Sequence, residues 1–269
     1  MPDSDPAVLP QSTHNKSAYE IARFAALEGG SILKKRYGMD NSVKVKGRRN
    51  IVTEADLMSE KRIIDILKEE FPEHSILSEE AGASGTEREY TWIIDPLDGT
   101  NNYYFGIPFF CVNIALTRRG EVVMGLTYDP MRKEMFYSVK GKGVYLNRKK
   151  VKVSDVSQMA KASVGIDVGY VPERSAEMLD IAGRIWSQVH CTRLLGSSCL
   201  GLAYVASGRL SLYFHKYLYP WDMASGILMV REGGGEMINF DKKPATIDDS
   251  AIIAANKKLM GEFTRWLNI

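Results

Sequence analysis

The segment WIIDPLDGTNNYY, residues 92–104, joins an apolar run typical of a buried strand to two aspartates, a proline, a glycine and a threonine. Asp95 and Asp98 stand three positions apart at the end of that run. Two carboxylates about 4 Å apart repel each other by about 4 kcal/mol at an effective dielectric constant near 20. The placement therefore predicts either carboxyl groups with raised pKa values or a bound cation that relieves the repulsion.

Two further acids stand in the same local context, where a strand or turn leads into the next element. Glu79 follows the apolar run SIL, and Asp222 lies in YPWDMASG. In layered α/β folds, residues at the ends of strands line the cleft. An all-oxygen ligand set suits Mg²⁺ or Mn²⁺ better than zinc or copper. The four acids therefore predict a divalent metal site, although DPLDGT taken alone is equally typical of an ordinary turn before a helix.

The DGT triplet adds a second component to this prediction. Gly99 allows close approach of the backbone to a ligand, and Thr100 begins a predicted helix whose free N–H groups attract an anion. Two metal ions beside such a site can hold an attacking water and stabilise the departing oxygen. Because no cysteine or histidine is placed as an obvious nucleophile, the pattern favours direct attack by water on a phosphate ester.

The first helix is predicted from a capping box formed by Ser17 and Glu20, and it ends near Gly38. Gly29 and Gly30 lower its intrinsic stability, so packing must stabilise it. VKVKGRRNIV then predicts a short hairpin around a glycine turn.

Thr53 caps a second predicted helix that ends near Phe71. Several runs of alternating apolar and polar residues after residue 110 predict an antiparallel meander. From Val164 onward, strands and helices alternate. The later strands are predicted near 164–168, 189–194, 210–214 and 236–238, and the helices near 175–186, 197–207, 224–232 and 257–267. This pattern predicts an α/β (α+β) fold in which helices cover the sheets in a layered arrangement.

The predicted organisation has three parts. Residues 1–16 are polar and proline-containing and are expected to form a flexible tail. Residues 17–153 form an N-terminal lobe with most of the metal ligands. Residues 154–269 form a C-terminal lobe with the substrate contacts and Asp222, and both lobes share one continuous fold.

The composition is that of an ordinary soluble globular protein, with 45% hydrophobic and 25% charged residues and a formal net charge of +2 over 269 residues. Neither a nucleic acid nor a membrane is an expected partner. The three cysteines, Cys111, Cys191 and Cys199, lack CxxC spacing and are expected to be reduced thiols of a cytoplasmic protein.

Four segments, in this order along the chain, resemble the motifs of the inositol monophosphatase family: NIVTEADLMSE, ILSEEAG, WIIDPLDGTNNY and YPWDMASG. Relatives of that family include archaeal-type fructose-1,6-bisphosphatases and other lithium-sensitive phosphatases. The resemblance extends from about Ser17 onward. It implies a layered αβαβα fold, usually in a homodimer, and Mg²⁺-dependent hydrolysis of phosphate monoesters such as inositol monophosphate or fructose 1,6-bisphosphate.

Matched motif positions imply the metal ligands. A first ion would be held by Glu79, Asp95 and the carbonyl oxygen of Leu97. A second ion would be held by Asp95, Asp98 and Asp222. A third, weaker ion would use Glu79 and solvent.

The resemblance also implies catalytic roles. Thr100 and Asp56 match the pair that helps to activate the attacking water, with Glu79 beside them, while the amides of Gly99 and Thr100 would surround the phosphate. Outside the family context, Asp56 is a first-turn acid favoured by the helix dipole, and Thr100 is a helix cap. The hairpin around residues 43–50 resembles a mobile flap that brings Lys44 or Lys46 towards the site.

Substrate contacts are implied for Asp98 and for the segment that contains Arg193, Gly196, Ser197 and Ser198.

Seven residues before the metal aspartate, animal inositol monophosphatases carry a glutamate that contacts ring hydroxyls. This chain has His215, followed by Lys216. Two interpretations stay open: a cationic pair that receives a second phosphate, which would favour a bisphosphate, or the end of an exposed strand.

Alternative functions stay open beside this one. Phosphatases of the same fold act on nucleotide 3′-phosphates, histidinol phosphate or NADP. A haloacid-dehalogenase-type phosphatase requires D-x-D-G-T, with one residue between the aspartates, whereas this chain has two. A catalytically inactive regulator or scaffold is a further class, although every matched metal position here carries an oxygen ligand.

Overall fold

The computed structural model describes residues 9–39, 43–47, 50–84 and 88–268. The helices are α1 (Ala18–Arg36), α2 (Glu54–Glu70), α3 (Thr100–Tyr104), α4 (Pro172–Trp186), α5 (Ser198–Ala206), α6 (Pro220–Glu232) and α7 (Lys257–Leu267). The strands are β1 (Val43–Gly47), β2 (Asn50–Thr53), β3 (Ser75–Ser78), β4 (Gly82–Ser84), β5 (Tyr90–Asp98), β6 (Cys111–Arg118), β7 (Glu121–Asp129), β8 (Glu134–Val139), β9 (Val144–Leu146), β10 (Lys149–Val151), β11 (Ser163–Ile166), β12 (Cys191–Leu194), β13 (Leu212–His215), β14 (Glu236–Ile238) and β15 (Ile252–Ala255).

Two mixed sheets organise the chain. The larger has eight strands in the order β10-β9-β8-β7-β6-β5-β3-β4, and the smaller has five in the order β12-β11-β13-β15-β14. From β5 to β10, neighbouring strands pair antiparallel, which confirms the predicted meander. The eight-stranded sheet lies entirely before residue 154 and the five-stranded sheet entirely after it. The boundary predicted at residue 154 thus falls between these two sheets, and the division into lobes stays a prediction.

Three apolar clusters define five layers. One fills the space between α1, α2 and the eight-stranded sheet, a second joins the other face of that sheet to α5, α6 and the smaller sheet, and a third lies under α4 and α7. This αβαβα arrangement confirms the predicted fold class. None of the described helices is long and apolar enough to cross a lipid bilayer.

The predicted tail divides into two parts. Residues 1–8 lie outside the described residues. In the remainder, Leu9 packs against the first apolar cluster and the Thr13 amide donates to the Glu70 carbonyl at 3.0 Å. This second half therefore packs against the fold at the end of α2.

The predicted hairpin is present as the antiparallel pair β1–β2. Lys44 is exposed there, and the Lys46 side chain lies outside the described residues. One strand of the smaller sheet, β15, has no counterpart in the sequence prediction. It pairs with both β13 and β14 and is buried at all four residues. A four-residue apolar run has no alternation to mark it as a strand, so only pairing with neighbours identifies it.

Two glycines explain how α1 packs. A Cβ on Gly29 would lie 2.8 Å from the Ser59 Oγ of α2, and a Cβ on Gly30 would lie 2.7 Å from the Tyr128 ring of β7. Both positions therefore allow close approach of α1 to its neighbours. The sequence predicted that packing must stabilise a helix with two interior glycines, and these close contacts are that packing.

We expect Gly30→Ala to lower the free energy of unfolding by about 1–3 kcal/mol, because overpacking outweighs the helix propensity that alanine adds. Gly183 of α4 is the matched control, since no described residue lies within 4 Å of its Cβ position. Gly183→Ala should raise the free energy of unfolding by about 0.5–1 kcal/mol. Chemical denaturation of both variants measures the difference, and equal shifts of the same sign would contradict it.

Candidate metal and phosphate site

A β-bulge in β5 brings two acids to one side of the sheet. Strict alternation would point side chains three positions apart to opposite faces. In the pairing of β5 with β6, Asp95 faces Asn113 and Asp98 faces Cys111, so two β5 residues oppose one β6 residue between these pairs. The extra residue shifts the alternation of side chains by one position, so that Asp95 and Asp98 lie on the same face of the sheet. Both carboxylates consequently point to the place where Asp222 arrives.

Asp222 reaches the site from the first turn of α6. Pro220 is the first residue of that helix, and the Tyr219 amide donates to Asp222 Oδ2 at 2.7 Å. One carboxylate oxygen from each of Asp95, Asp98 and Asp222 lies within 4.8 Å of the other two. Acids more than 120 positions apart in sequence thus form one cluster.

Glu79 stands beside this cluster at the end of β3. Its amide donates to the Ile94 carbonyl at 3.2 Å, its side chain is half-buried, and it lines the same cavity as the three aspartates. Its charge helps to raise the pKa values of Asp95 and Asp222. The described geometry thus places all four predicted acids around one cavity.

Glu60 is a buried acid of α2 that sequence reasoning did not single out. Its Oε1 accepts hydrogen bonds from the Ser78 hydroxyl and from the amides of Glu80 and Ala81, the last two at 3.1 and 3.0 Å. This carboxylate fixes the turn that carries Glu79. Its place within the motif NIVTEADLMSE was the available signal.

The carboxylates of Glu79, Asp95, Asp98 and Asp222 repel one another when all of them are charged. Burial raises the pKa of Asp95 well above its usual range, and the charges of Glu79, Asp98 and Asp222 raise it further. Burial likewise raises the pKa of Asp222, with Asp98 and Glu79 adding to the effect. A dication among these oxygens would remove the repulsion, so the residues fit a metal site.

Asp98 also connects the cluster to the start of α5. Its Oδ2 accepts hydrogen bonds from the Ser197 hydroxyl and from the Cys199 amide at 2.8 Å. Burial raises the pKa of Asp98, and these two donors oppose that rise. The thiols of Cys111 and Cys199 lie close to the same carboxylate, but burial raises both of their pKa values, that of Cys111 to about 11. Burial thus favours the protonated thiols, whereas the cluster of Asp95, Asp98 and Asp222 offers oxygen ligands only.

The backbone turn after Asp98 requires glycine. Gly99 has a φ of 94°, and a Cβ there would lie 3.0 Å from the Phe109 carbonyl oxygen and 3.2 Å from that of Gly196. Thr100 then begins α3, and its hydroxyl oxygen lies 3.0 Å from the Leu97 carbonyl oxygen. The turn thus presents the amides of Gly99 and Thr100 beside the carboxylates.

Asp56 joins this turn through a hydrogen-bonded chain. Its Oδ1 accepts from the Thr100 hydroxyl at 3.2 Å, and its Oδ2 accepts from the Thr53 amide at 2.9 Å and from the Thr53 hydroxyl. Burial raises the pKa of Asp56 to about 6, against the lowering effect of the Thr53 bonds. Asp56 therefore caps the first turn of α2 and is also a buried acid with a raised pKa, a property that is common at functional sites.

These residues surround a cavity of about 730 Å³. Its walls include seven of the eight predicted positions of the metal and phosphate centre, and the eighth, Asp56, lies behind Thr100. The volume is within the range of small-molecule sites.

Of the predicted substrate contacts, Gly196, Ser197 and Ser198 line this cavity and Arg193 does not. Arg193 is exposed, and its guanidinium donates to the Thr192 carbonyl at 2.8 Å. Side chains alternate between the two faces of a strand, and the next residue of β12, Leu194, is the one that lines the cavity. The structure therefore places Arg193 outside the cavity.

Two residues of the cavity wall were missed by sequence reasoning. Asp167 is buried at the end of β11, where it accepts hydrogen bonds from the amides of Leu195 and Gly196 and from the Tyr213 hydroxyl. Burial raises the pKa of Asp167 to about 7. Asn102 donates to the Leu195 carbonyl at 2.9 Å. Both hold the loop before α5 in place. Asn102 belongs to the motif WIIDPLDGTNNYY, which gives no signal of this role, and Asp167 belongs to none of the quoted motifs.

The cationic pair predicted at His215 and Lys216 is not present. His215 is only 6% exposed and ends a buried strand, and burial lowers its pKa to about 4. Its Nδ1 lies 3.5 Å from the Ser198 hydroxyl. Lys216 forms an ion pair with Glu177. A neutral imidazole thus faces the cavity, and the alternative of an exposed strand end is also wrong.

This burial predicts a pH effect on stability. Because the folded pKa of His215 lies below its unfolded value near 6.5, its contribution to stability is present above pH 6.5 and is lost as the pH falls towards 4. We expect wild type to lose up to about 3 kcal/mol more than His215→Leu between pH 7 and pH 4. Urea unfolding at both pH values measures it, and parallel losses would contradict the burial argument.

Comparisons with known proteins agree with this geometry. Residues 14–267 match the model described as the inositol monophosphatase family. A fructose-1,6-bisphosphatase/inositol-1-monophosphatase of Aquifex aeolicus is 35% identical over 91% of this chain and 92% of its own length. The Nus factor SuhB of Escherichia coli K12 is 34% identical over 89% and 91%. The structure of an inositol monophosphatase from Anabaena (Nostoc) sp. PCC 7120 is similar with a TM-score of 0.84 and 34% identity, covering 93% of this chain and 94% of that one.

Proposed function

Because the chain belongs to the inositol monophosphatase family and is a phosphoric monoester hydrolase, we propose that it uses Mg²⁺ to hydrolyse a small phosphate monoester by direct attack of water. The observation that carries this proposal is the cluster of Asp95, Asp98 and Asp222, whose oxygens lie within 4.8 Å of one another. Hard dications are the partners that such a buried oxygen set requires.

The metal ligands are one group of residues in this proposal. Asp95, Asp98, Asp222, Glu79 and the Leu97 carbonyl would hold Mg²⁺, with Mn²⁺ as a substitute. When bound, two such ions supply a water of lowered pKa and stabilise charge on the departing oxygen.

The phosphate is oriented by the turn after Asp98. The amides of Gly99 and Thr100 would donate to phosphate oxygens, and glycine at position 99 permits the left-handed turn between Asp98 and Thr100.

The proton of the attacking water is assigned to the Thr100–Asp56 chain. A carboxylate whose pKa is near 6 is deprotonated at neutral pH and can accept a proton through the threonine hydroxyl. The Thr53 amide and hydroxyl hold that carboxylate in place.

The cavity favours a polyol or sugar monophosphate, such as inositol monophosphate, over a bisphosphate. Its far wall offers the neutral His215 and the Ser198 hydroxyl, which suit a substrate hydroxyl. Among the described wall residues, Arg174 is the one cationic side chain, and its guanidinium lies over the Tyr217 ring. A second phosphate would therefore depend on Arg174 alone.

A phosphate-release screen with Mg²⁺ tests the proposal. It compares inositol 1-phosphate, fructose 1,6-bisphosphate, nucleotide 3′-phosphates, histidinol phosphate and NADP. We expect release from the polyol monophosphate, with none after chelation of divalent ions. No release from any of these esters would refute the catalytic function.

A regulatory function is the second candidate, since one relative of 34% identity is named a Nus factor. The intact oxygen cluster favours catalysis, and the same screen separates the two candidates. The homodimer and the cytoplasmic location implied earlier stay predictions.

A further inference from the structure

A second cavity, of about 340 Å³, lies on the α1 side of the eight-stranded sheet. It opens between α1, the β7–β8 strands and the β9–β10 turn, and none of its wall residues belongs to the catalytic cavity. Its polar wall consists of three cations, three tyrosines and one asparagine: Arg23, Lys133, Arg148, Tyr19, Tyr128, Tyr137 and Asn147.

The three cations have no acidic partner among the described residues. The acids within five positions of Arg23 or Lys133 that could reach them have other partners: Glu20 accepts from the Ser17 amide, Glu28 pairs with Arg62 and Glu134 pairs with Arg209. Positive charges that converge on a concave wall without counter-charges attract an anion. Guanidinium groups in particular match the oxygen geometry of phosphate.

Two of the cations occupy unfavourable backbone positions. Lys133 has a φ of 55° and Arg148 a φ of 70°. Arg148 is the second residue of the two-residue turn between β9 and β10, after Asn147, where glycine is strongly preferred. A side chain in this conformation costs on the order of 1 kcal/mol, and such positions cluster at ligand sites.

The tyrosines give the cavity an aromatic side, with the rings of Tyr19 and Tyr137 inclined at 34° to each other. The rings of Tyr19 and Tyr137 lie 4.6 Å apart between centroids, and Tyr145 stacks behind Tyr137 at 5.3 Å with an interplanar angle of 13°. Tyr19 and Tyr137 are only partly buried, so part of this surface is accessible. Aromatic surfaces of this kind bind a flat ring by offset stacking.

We propose that this second cavity binds a small phosphate ester of an aromatic ring compound, with the phosphate held by Arg23, Lys133 and Arg148 and the ring against the tyrosines. A cavity of this volume suits a ligand of one ring and one or two phosphates. Binding here is independent of the carboxylate cluster and of divalent ions.

Calorimetric titration of the metal-free protein with phenyl phosphate, and separately with inorganic phosphate, tests this site. Removal of divalent ions leaves the catalytic cavity with uncompensated carboxylates that repel both probes. We expect phenyl phosphate to bind wild type more tightly than inorganic phosphate does. Arg148→Gly should weaken both probes at least about tenfold, because one charge-assisted contact is lost.

The backbone supplies a matched control. Arg119 also has a positive φ, 51°, but lies in the β6–β7 turn outside this cavity. Arg119→Gly should leave both affinities unchanged, and the melting temperature of Arg148→Gly should not fall below that of wild type, since glycine relieves strain. Tyr19→Leu should remove the preference for phenyl phosphate while binding of inorganic phosphate persists.

The proposal is overturned if wild type binds neither probe at millimolar concentration, or if Arg148→Gly binds as well as wild type. It is equally overturned if Asp95→Asn alters the affinity as much as Arg148→Gly does, because the probe would then occupy the catalytic cavity.

Discussion

The Asp95→Asn variant should lose about a thousandfold or more in kcat/KM and yet be more stable than wild type when divalent ions are absent. The loss of activity follows because this carboxylate would ligate both principal metal ions, and metal stabilisation of the transition state contributes several kcal/mol. The gain in stability follows because Asp95 is buried among Asp98, Asp222 and Glu79, which all raise its pKa. A neutral amide of the same shape ends that repulsion.

The sign of the stability effect depends on pH. An acid whose folded pKa exceeds its unfolded value near 3.9 stabilises the fold at low pH and loses that contribution as the pH rises through the folded pKa. The gain from Asp95→Asn should therefore grow with pH and reach about 1–3 kcal/mol at pH 8.

Thermal unfolding with and without Mg²⁺ measures the change in stability, and an activity assay of the same samples measures the loss in kcat/KM. Wild type should be stabilised by Mg²⁺ by about 2.7 kcal/mol at one hundred times the dissociation constant, and Asp95→Asn by much less. Asp65→Asn, which changes an exposed acid paired with Lys61, should behave as wild type. Equal stabilisation of Asp95→Asn and wild type by Mg²⁺ would refute the metal site.

The second large effect is expected for Asp56→Asn, which should lower kcat about 10²–10⁴-fold with little change in KM. The reason is that an amide cannot accept the proton that the Thr100 hydroxyl passes on. Wild-type activity should fall below about pH 6, where Asp56 becomes protonated, and this acidic limb should be absent from the variant. Steady-state kinetics from pH 5 to pH 9 measure both properties.

A purely structural role for Asp56 is tested by a matched position. Ser17 and Glu20 form the same kind of capping box at the start of α1 that Thr53 and Asp56 form at the start of α2. Glu20→Gln should cost about 0.5–1 kcal/mol of stability and leave kcat unchanged. If Asp56→Asn also changes only stability, its catalytic assignment is wrong.

The sequence alone determined the layered class and the meander, and it predicted which acids would hold a metal. Alternation of apolar residues marks strands, and Ser17–Glu20 and Thr53 mark helix starts, because these signals act over a few residues. It could not identify β15, whose four apolar residues form a strand only by pairing with distant neighbours.

Only the tertiary structure decided how the acids meet and which residues surround them. Strand alternation by itself would separate Asp95 from Asp98, and the bulge opposite β6 brings them together with Asp222. Likewise, His215 looks cationic beside Lys216 in sequence, whereas burial keeps it neutral and Glu177 engages the lysine. Register, burial and ion pairing depend on residues far away in the chain, and these contacts set the charge of each group.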